Sequence, residues 1–111
     1  MTATATGLPA LMTQTVALLL LDEAHGNLLR PLAERDDCGD CKASAGWCGP
    51  CHALFLASEL IGLALAEARF CQSDRDARKI ASDVIDLLSD KGRYGDAGEV
   101  AVFGVAAGGA A

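Results

Sequence analysis

Apolar residues recur at helical spacing in three long segments of the chain, and this pattern predicts a mainly α-helical domain. The first helix is predicted to begin near Pro9, because proline suits the first turn of a helix, and to end near His25. The letters HGN at 25–27 are a helix-stop signal. A shorter helical piece, LLRPLAER, follows, and Pro31 limits how far upstream it extends.

The second predicted helix runs from Pro50 to Phe70 and is apolar around most of its circumference, which is typical of a buried central helix. A third is predicted from a cap at Ser73, with Asp76 completing an acidic version of the capping box, to a stop at Lys91 and Gly92. Its apolar stripe consists of Ile80, Val84, Leu87 and Leu88. The pattern therefore predicts a small domain of three to four helices.

The chain divides into three parts by composition. Residues 1–7 form a flexible Thr/Ala/Gly lead, and residues 8–99 form a single helical domain that carries a cysteine-rich loop at 36–52. Residues 100–111 are rich in glycine and alanine. Because the letters EVAVFGV contain three valines, we expect a short strand or an apolar tail that docks on the core, with the last residues flexible.

The charge and the apolar content narrow the class of partner. A formal net charge of −6 argues against nucleic acid, because phosphate binding needs a basic surface. The helices offer more apolar surface than a domain of 111 residues buries, so we expect a protein partner or self-association, such as a homodimer.

The N-terminal segment does not resemble a targeting or membrane segment. It lacks a positively charged region before its apolar run, and that run, 16–21, is far shorter than the roughly 20 residues that span a bilayer. We therefore expect a cytoplasmic protein without a membrane anchor. Thiols stay reduced in that compartment, so its five cysteines indicate metal binding or catalysis rather than structural disulfides.

Four of the cysteines form two pairs with the same spacing, Cys38-x2-Cys41 and Cys48-x2-Cys51. Four thiolates supply the complete tetrahedral shell of a Zn²⁺ ion. A closed shell leaves no position for water or substrate, so the predicted zinc is structural. Binding of such an ion contributes directly to the free energy of folding.

The letters WCGPC, 47–51, resemble the active-site motif of the thioredoxin family. That resemblance implies a dithiol oxidoreductase in which Cys48 is the nucleophile and Cys51 resolves the mixed disulfide. It also implies a strand before the motif and a cis-proline after it. Here a polar loop precedes the motif and no proline follows Pro50, so this function is the second hypothesis.

The whole segment 38–51 resembles a zinc knuckle followed by a helix, as in treble-clef and other small four-cysteine zinc fingers. It is also similar to CxxC-x6-CxxC segments in small proteins of actinobacteria and their phages. An iron–sulfur cluster takes four thiolates as well, as in the WhiB-like regulators, but their cysteines are not arranged in two close pairs. Zinc is therefore favoured over iron–sulfur.

Three further residues near or after the pairs have simpler interpretations. His52 is a spare ligand candidate, although its adjacency to Cys51 directs it elsewhere on the helix. Cys71 is expected to be a small buried apolar residue. Trp47 is expected to cover the metal loop and pack on the core.

Since no catalytic constellation stands out, the leading hypothesis is a non-catalytic interaction or regulatory protein, and nucleic-acid binding is disfavoured by charge.

Overall fold

The computed structural model describes Pro9, residues 11–44 and residues 46–105, and this part of the chain is helical without strands. A short 3₁₀ turn, Arg35–Asp37, joins the first two helices. The helices are α1 Gln14–Ala33, α2 Gly39–Ser44, α3 Gly49–Phe70, α4 Asp74–Leu88, α5 Lys91–Tyr94 and α6 Ala97–Phe103. The predicted mainly α fold is confirmed, with a four-cysteine cluster just before the long helix α3.

Helix α3 lies at the centre and packs against α1, α4, α5 and α6. Its contact face is largely alanine, and alanines of α1, α4 and α6 meet it. Small side chains allow helix axes to approach closely, which explains how a chain with 5% aromatic residues builds a packed core. Leu21, Leu28 and Ile61 are its largest fully buried side chains.

Helix α1 differs from its predicted bounds at both ends. It begins at Gln14, because the Thr13 side chain accepts a hydrogen bond from the Val16 N–H and caps the helix. It continues through the HGN letters to Ala33, so the predicted stop near His25 is wrong. Pro31 lacks the N–H that would bond to the Asn27 carbonyl, and α1 ends two residues after it, at Ala33.

The start of α4 agrees with its sequence signal, whereas its end does not. The Ser73 side chain accepts a hydrogen bond from the Asp76 N–H, as predicted. The helix ends at Leu88, and Asp90 then caps a separate short helix, α5, by accepting from the Gly92 and Arg93 N–H groups. The competing aspartate cap explains why the helix stops before Lys91.

The segment that begins at residue 97 is a helix that packs against α1 and α3, so of the two predicted alternatives, a strand or an apolar tail docked on the core, the strand is wrong. Ala97 and Ala101 are four residues apart and both are buried, which places them on one face against the core. The buried Asn27 side chain donates a hydrogen bond of 2.9 Å to the Ala101 carbonyl. Gly104, with φ of 86°, ends the helix. The predicted lead at 1–7 and the last residues, 106–111, lie outside the described residues.

Helix α3 has the length and hydropathy of a membrane-spanning helix, although 44% of its most apolar 18-residue window is buried within the fold. The central helix of a globular domain has the same properties. Its contacts with four other helices bury one face of α3, whereas Leu63 and Phe70 stay exposed.

Candidate metal centre

The two cysteine pairs occupy equivalent positions at the starts of two helices. Cys38 directly precedes α2 and Cys48 directly precedes α3, and the second cysteine of each pair lies in the first helical turn. The first helical hydrogen bonds run from the Lys42 N–H to the Cys38 carbonyl (3.1 Å) and from the His52 N–H to the Cys48 carbonyl (2.9 Å). Each CxxC therefore directs two sulfurs from the start of a helix.

The four sulfur atoms form one cluster. The Sγ atoms of Cys41 and Cys48 are 3.5 Å apart, those of Cys38 and Cys48 are 3.8 Å apart, and those of Cys38 and Cys51 are 3.9 Å apart. All four atoms lie within 4.8 Å of one another. The cysteines are free thiols rather than disulfides.

These separations fit a tetrahedral metal ion. Zn–S bonds of about 2.3 Å at tetrahedral angles place neighbouring sulfurs about 3.8 Å apart. The three distances of 3.5, 3.8 and 3.9 Å lie close to that value. The four side chains are thus arranged to hold one ion with little movement.

The cluster is mostly shielded from solvent and forms a patch separate from the main hydrophobic core. Cys41, Cys48 and Cys51 are buried, and Cys38 is half-buried. The backbone N–H of Cys48 points at the Cys41 sulfur at 3.4 Å. A backbone donor of this kind stabilises a thiolate, as does the N-terminal end of the long α3 dipole beside Cys51.

The thiols differ in acidity in the metal-free protein. The Cys48 N–H hydrogen bond lowers the pKa of Cys41 to about 7, despite the opposing effect of burial. Burial, reinforced by hydrogen bonds to the neighbouring sulfurs, raises the pKa of Cys51 far above its ordinary value. For Cys48, the Cys51 backbone N–H lowers the pKa, but burial and hydrogen bonds to the Cys41 and Cys38 sulfurs outweigh it, so the net direction is upward. Cys41 is therefore the most acidic of these three thiols.

The other predicted residues lie outside the cluster. His52 is exposed and is not among the residues grouped with the four sulfurs. Cys71 is half-buried at the end of α3, where its thiol donates to the Ala68 carbonyl at 3.1 Å. Trp47 packs on Phe55 with ring centroids 5.4 Å apart and is 44% exposed, so it is not one of the buried core residues.

Helix α2 was not predicted from the sequence, which was expected to form a loop at 36–52. Gly39 and Gly49 begin α2 and α3 and do not have the positive φ of a tight turn. The overlooked signal is the repeated spacing itself. In both CGDC and CGPC, the residues after the first cysteine continue into a helix. The first turn of a helix has N–H groups without helical partners, and these are available to the sulfurs.

No protein-family model matches the chain, and no curated protein or solved structure is significantly similar to it. The resemblance to actinobacterial and phage proteins therefore stays a prediction from the cysteine spacing.

Proposed function

We propose that the protein is a small zinc-binding protein in which one Zn²⁺ ion, held by Cys38, Cys41, Cys48 and Cys51, has a structural role. The observation that carries this proposal is the set of sulfur separations near 3.8 Å. Zinc would supply four bonds that tie the start of α2 to the start of α3. Four thiolates leave no open coordination position, which supports a non-catalytic role.

These bonds between α2 and α3 are important for the stability of α2, because α2 has few other contacts. It packs mainly against the 3₁₀ turn that precedes it, whereas α1, α3, α4 and α6 share the main core. A six-residue helix is not stable on its own in water. Metal binding is therefore the interaction that we expect to order the segment from residue 35 to residue 48.

The size of the cluster favours a single ion over an iron–sulfur cluster. An iron–sulfur cluster is several ångströms across, so its four thiolate ligands must be spread farther apart than around one ion. The four sulfurs here all lie within 4.8 Å of one another.

The exposed apolar side chains support an interaction or regulatory role for the folded domain. Leu19, Leu63, Phe70 and Phe103 are each more than 60% exposed, although each lies on a helix. Such surface is typical of proteins that bind other proteins.

The test is elemental analysis of protein purified without added metal, with the fifth cysteine as internal control. We expect one zinc per chain in the natural protein and in Cys71→Ser, and loss of zinc in Cys51→Ser. Chelation should increase amide hydrogen exchange in residues 35–48 before it affects the interior of α3 or α4. Visible charge-transfer absorption together with bound iron would identify an iron–sulfur cluster instead.

An apo protein with a reversible Cys48–Cys51 disulfide would overturn the zinc proposal in favour of thiol–disulfide exchange. Both cysteines do lie at the start of α3, as in dithiol enzymes. However, a nucleophilic cysteine needs a lowered pKa, and here the lowered pKa belongs to Cys41. Insulin reduction that persists after Cys38 and Cys41 are replaced by serine would establish the oxidoreductase.

A further inference from the structure

An apolar groove lies on the side of the domain formed by α1, α4 and α6. It has a volume of about 400 Å³, and Ile61 of α3 forms part of its floor. Leu19 of α1 and Val102 of α6 stand at its edges and are 63% and 46% exposed. Side chains of this size rarely stay exposed around a concave apolar surface unless that surface binds a ligand.

The groove continues along α6. A second depression of about 300 Å³ shares Ile85, Leu88 and Val102 with the first and extends past Phe103. The combined surface, here called the α1/α4/α6 groove, is lined mostly by apolar residues. An apolar groove between helices matches the apolar face of another amphipathic helix.

The charges at the groove indicate the chemistry of its occupant. Among the described residues that line the larger depression, Glu23 alone carries a charge. In the smaller depression the Lys91 ammonium is 3.3 Å from the Glu99 carboxylate, so these two charges offset each other. The guanidinium of Arg78, on α4, is bound to the Met12 carbonyl at 2.9 Å. Negative charge is thus left at the groove, on a chain of net charge −6.

A second copy of this chain does not meet that requirement. The outer face of α3 is an apolar surface that such a copy could offer, since Phe55, Leu63 and Phe70 are exposed there. Glu59 lies at the centre of that face. Docking it in the groove would bring Glu59 toward Glu23, in addition to the repulsion between two acidic chains.

We propose that the α1/α4/α6 groove binds an amphipathic helix of a partner protein whose apolar face is flanked by lysine or arginine. The proposal rests on the proposed interaction role and names its surface and the chemistry of its partner. The apolar face of the partner helix covers Leu19 and Val102, and a basic residue of that helix pairs with Glu23. Because the groove and the four cysteines share no residue, partner binding and zinc binding are separable.

The probe is a synthetic helical peptide of leucine and lysine, with leucine at positions i, i+3, i+4 and i+7, titrated into the zinc-loaded full chain. A second peptide, with glutamate in place of every lysine, is the control that tests whether binding requires positive charge. Two protein variants carry the same change at similarly exposed positions, Leu19→Lys in the groove and Leu63→Lys on the outer face of α3. The new lysine at 19 lies one turn from Glu23 and offsets its charge.

We expect saturable binding of the lysine peptide, weakened about tenfold or more by Leu19→Lys and less than about twofold by Leu63→Lys. The glutamate peptide should not bind. Three results would overturn the proposal: no saturable binding by the zinc-loaded chain, equal weakening by both variants, or a dimer in sedimentation analysis that Leu19→Lys dissociates. The last result would identify a second copy as the occupant.

Zinc content and helicity are measured for every sample. A chain that holds one zinc, remains helical and does not bind the peptide overturns the groove proposal and leaves the zinc proposal standing. A chain that binds the peptide but holds no metal overturns the zinc proposal and leaves the groove proposal standing.

Discussion

The contact between α4 and α6 permits a prediction with a matched control. Gly98, in the first turn of α6, lies against the C-terminal end of α4. A Cβ added at this position would overlap the Leu88 carbonyl oxygen and lie 3.0 Å from the Leu88 carbonyl carbon. Because these are backbone atoms, no side-chain rotation relieves the overlap, and α6 must move away. Gly26, inside α1, has open space where a Cβ would be placed.

The same substitution should therefore change stability in opposite directions at the two glycines. Alanine is favoured over glycine in a helix by about 0.8–1 kcal/mol, and Gly26→Ala should gain most of this. Gly98→Ala gains the same amount at most but incurs overpacking of about 1–3 kcal/mol, so a net loss of up to about 2 kcal/mol is expected. For a chain of this size, each 1 kcal/mol shifts the melting temperature by about 4 °C.

The measurement is equilibrium denaturation of both variants and the natural protein at a fixed concentration of free zinc, since bound metal adds to the apparent stability. Hydrogen exchange in α6 locates the loss in Gly98→Ala. A Gly98→Ala variant as stable as Gly26→Ala would refute the close contact between α4 and α6, because the two changes differ only in their surroundings.

Two further predictions concern the anchoring of α6 and the acidity of the cluster. Asn27→Ala should cost about 1–3 kcal/mol by leaving the buried Ala101 carbonyl without its hydrogen bond, and denaturation will measure the loss. The raised pKa of Cys48 and of Cys51 keeps both thiols protonated at pH 7, so zinc binding releases at least their two protons. Zinc affinity should then fall at least about 100-fold for each unit by which the pH is lowered, which competition with a chromophoric chelator will test; a pH-independent affinity contradicts this reasoning.

Where local signals and tertiary contacts agree, the sequence was sufficient to place the helices. Pro50 begins α3 within one residue of its observed start, and Ser73 caps α4 as its spacing with Asp76 predicts. Both signals depend on hydrogen bonds or φ preferences within one turn. The grouping of the four cysteines is predictable for a similar reason, because two equal spacings bring four ligands of one chemical type together.

The errors occur where tertiary burial outweighs a local preference. The glycine and asparagine of HGN resemble a helix end, but burial of Asn27 and Leu28 against the core keeps the backbone helical. Val100 and Val102 favour a strand, but burial of Ala97 and Ala101 on one face favours a helix. Neither result follows from the segment alone, since both depend on which element packs opposite.

The molecule has two separate buried clusters, and this separation determines which part of the fold a bound metal would stabilise. The main core joins α1, α3, α4 and α6 through alanine and leucine, while the four cysteines form their own cluster at the start of α3. Free energy from binding of a metal at this cluster would therefore act first on the short segment between α1 and α3, and only through α3 on the rest. The α1/α4/α6 groove is formed by the main core and does not require that segment. The proposed zinc site at the four cysteines and the proposed binding surface built by the helices are thus independent features of the same small domain.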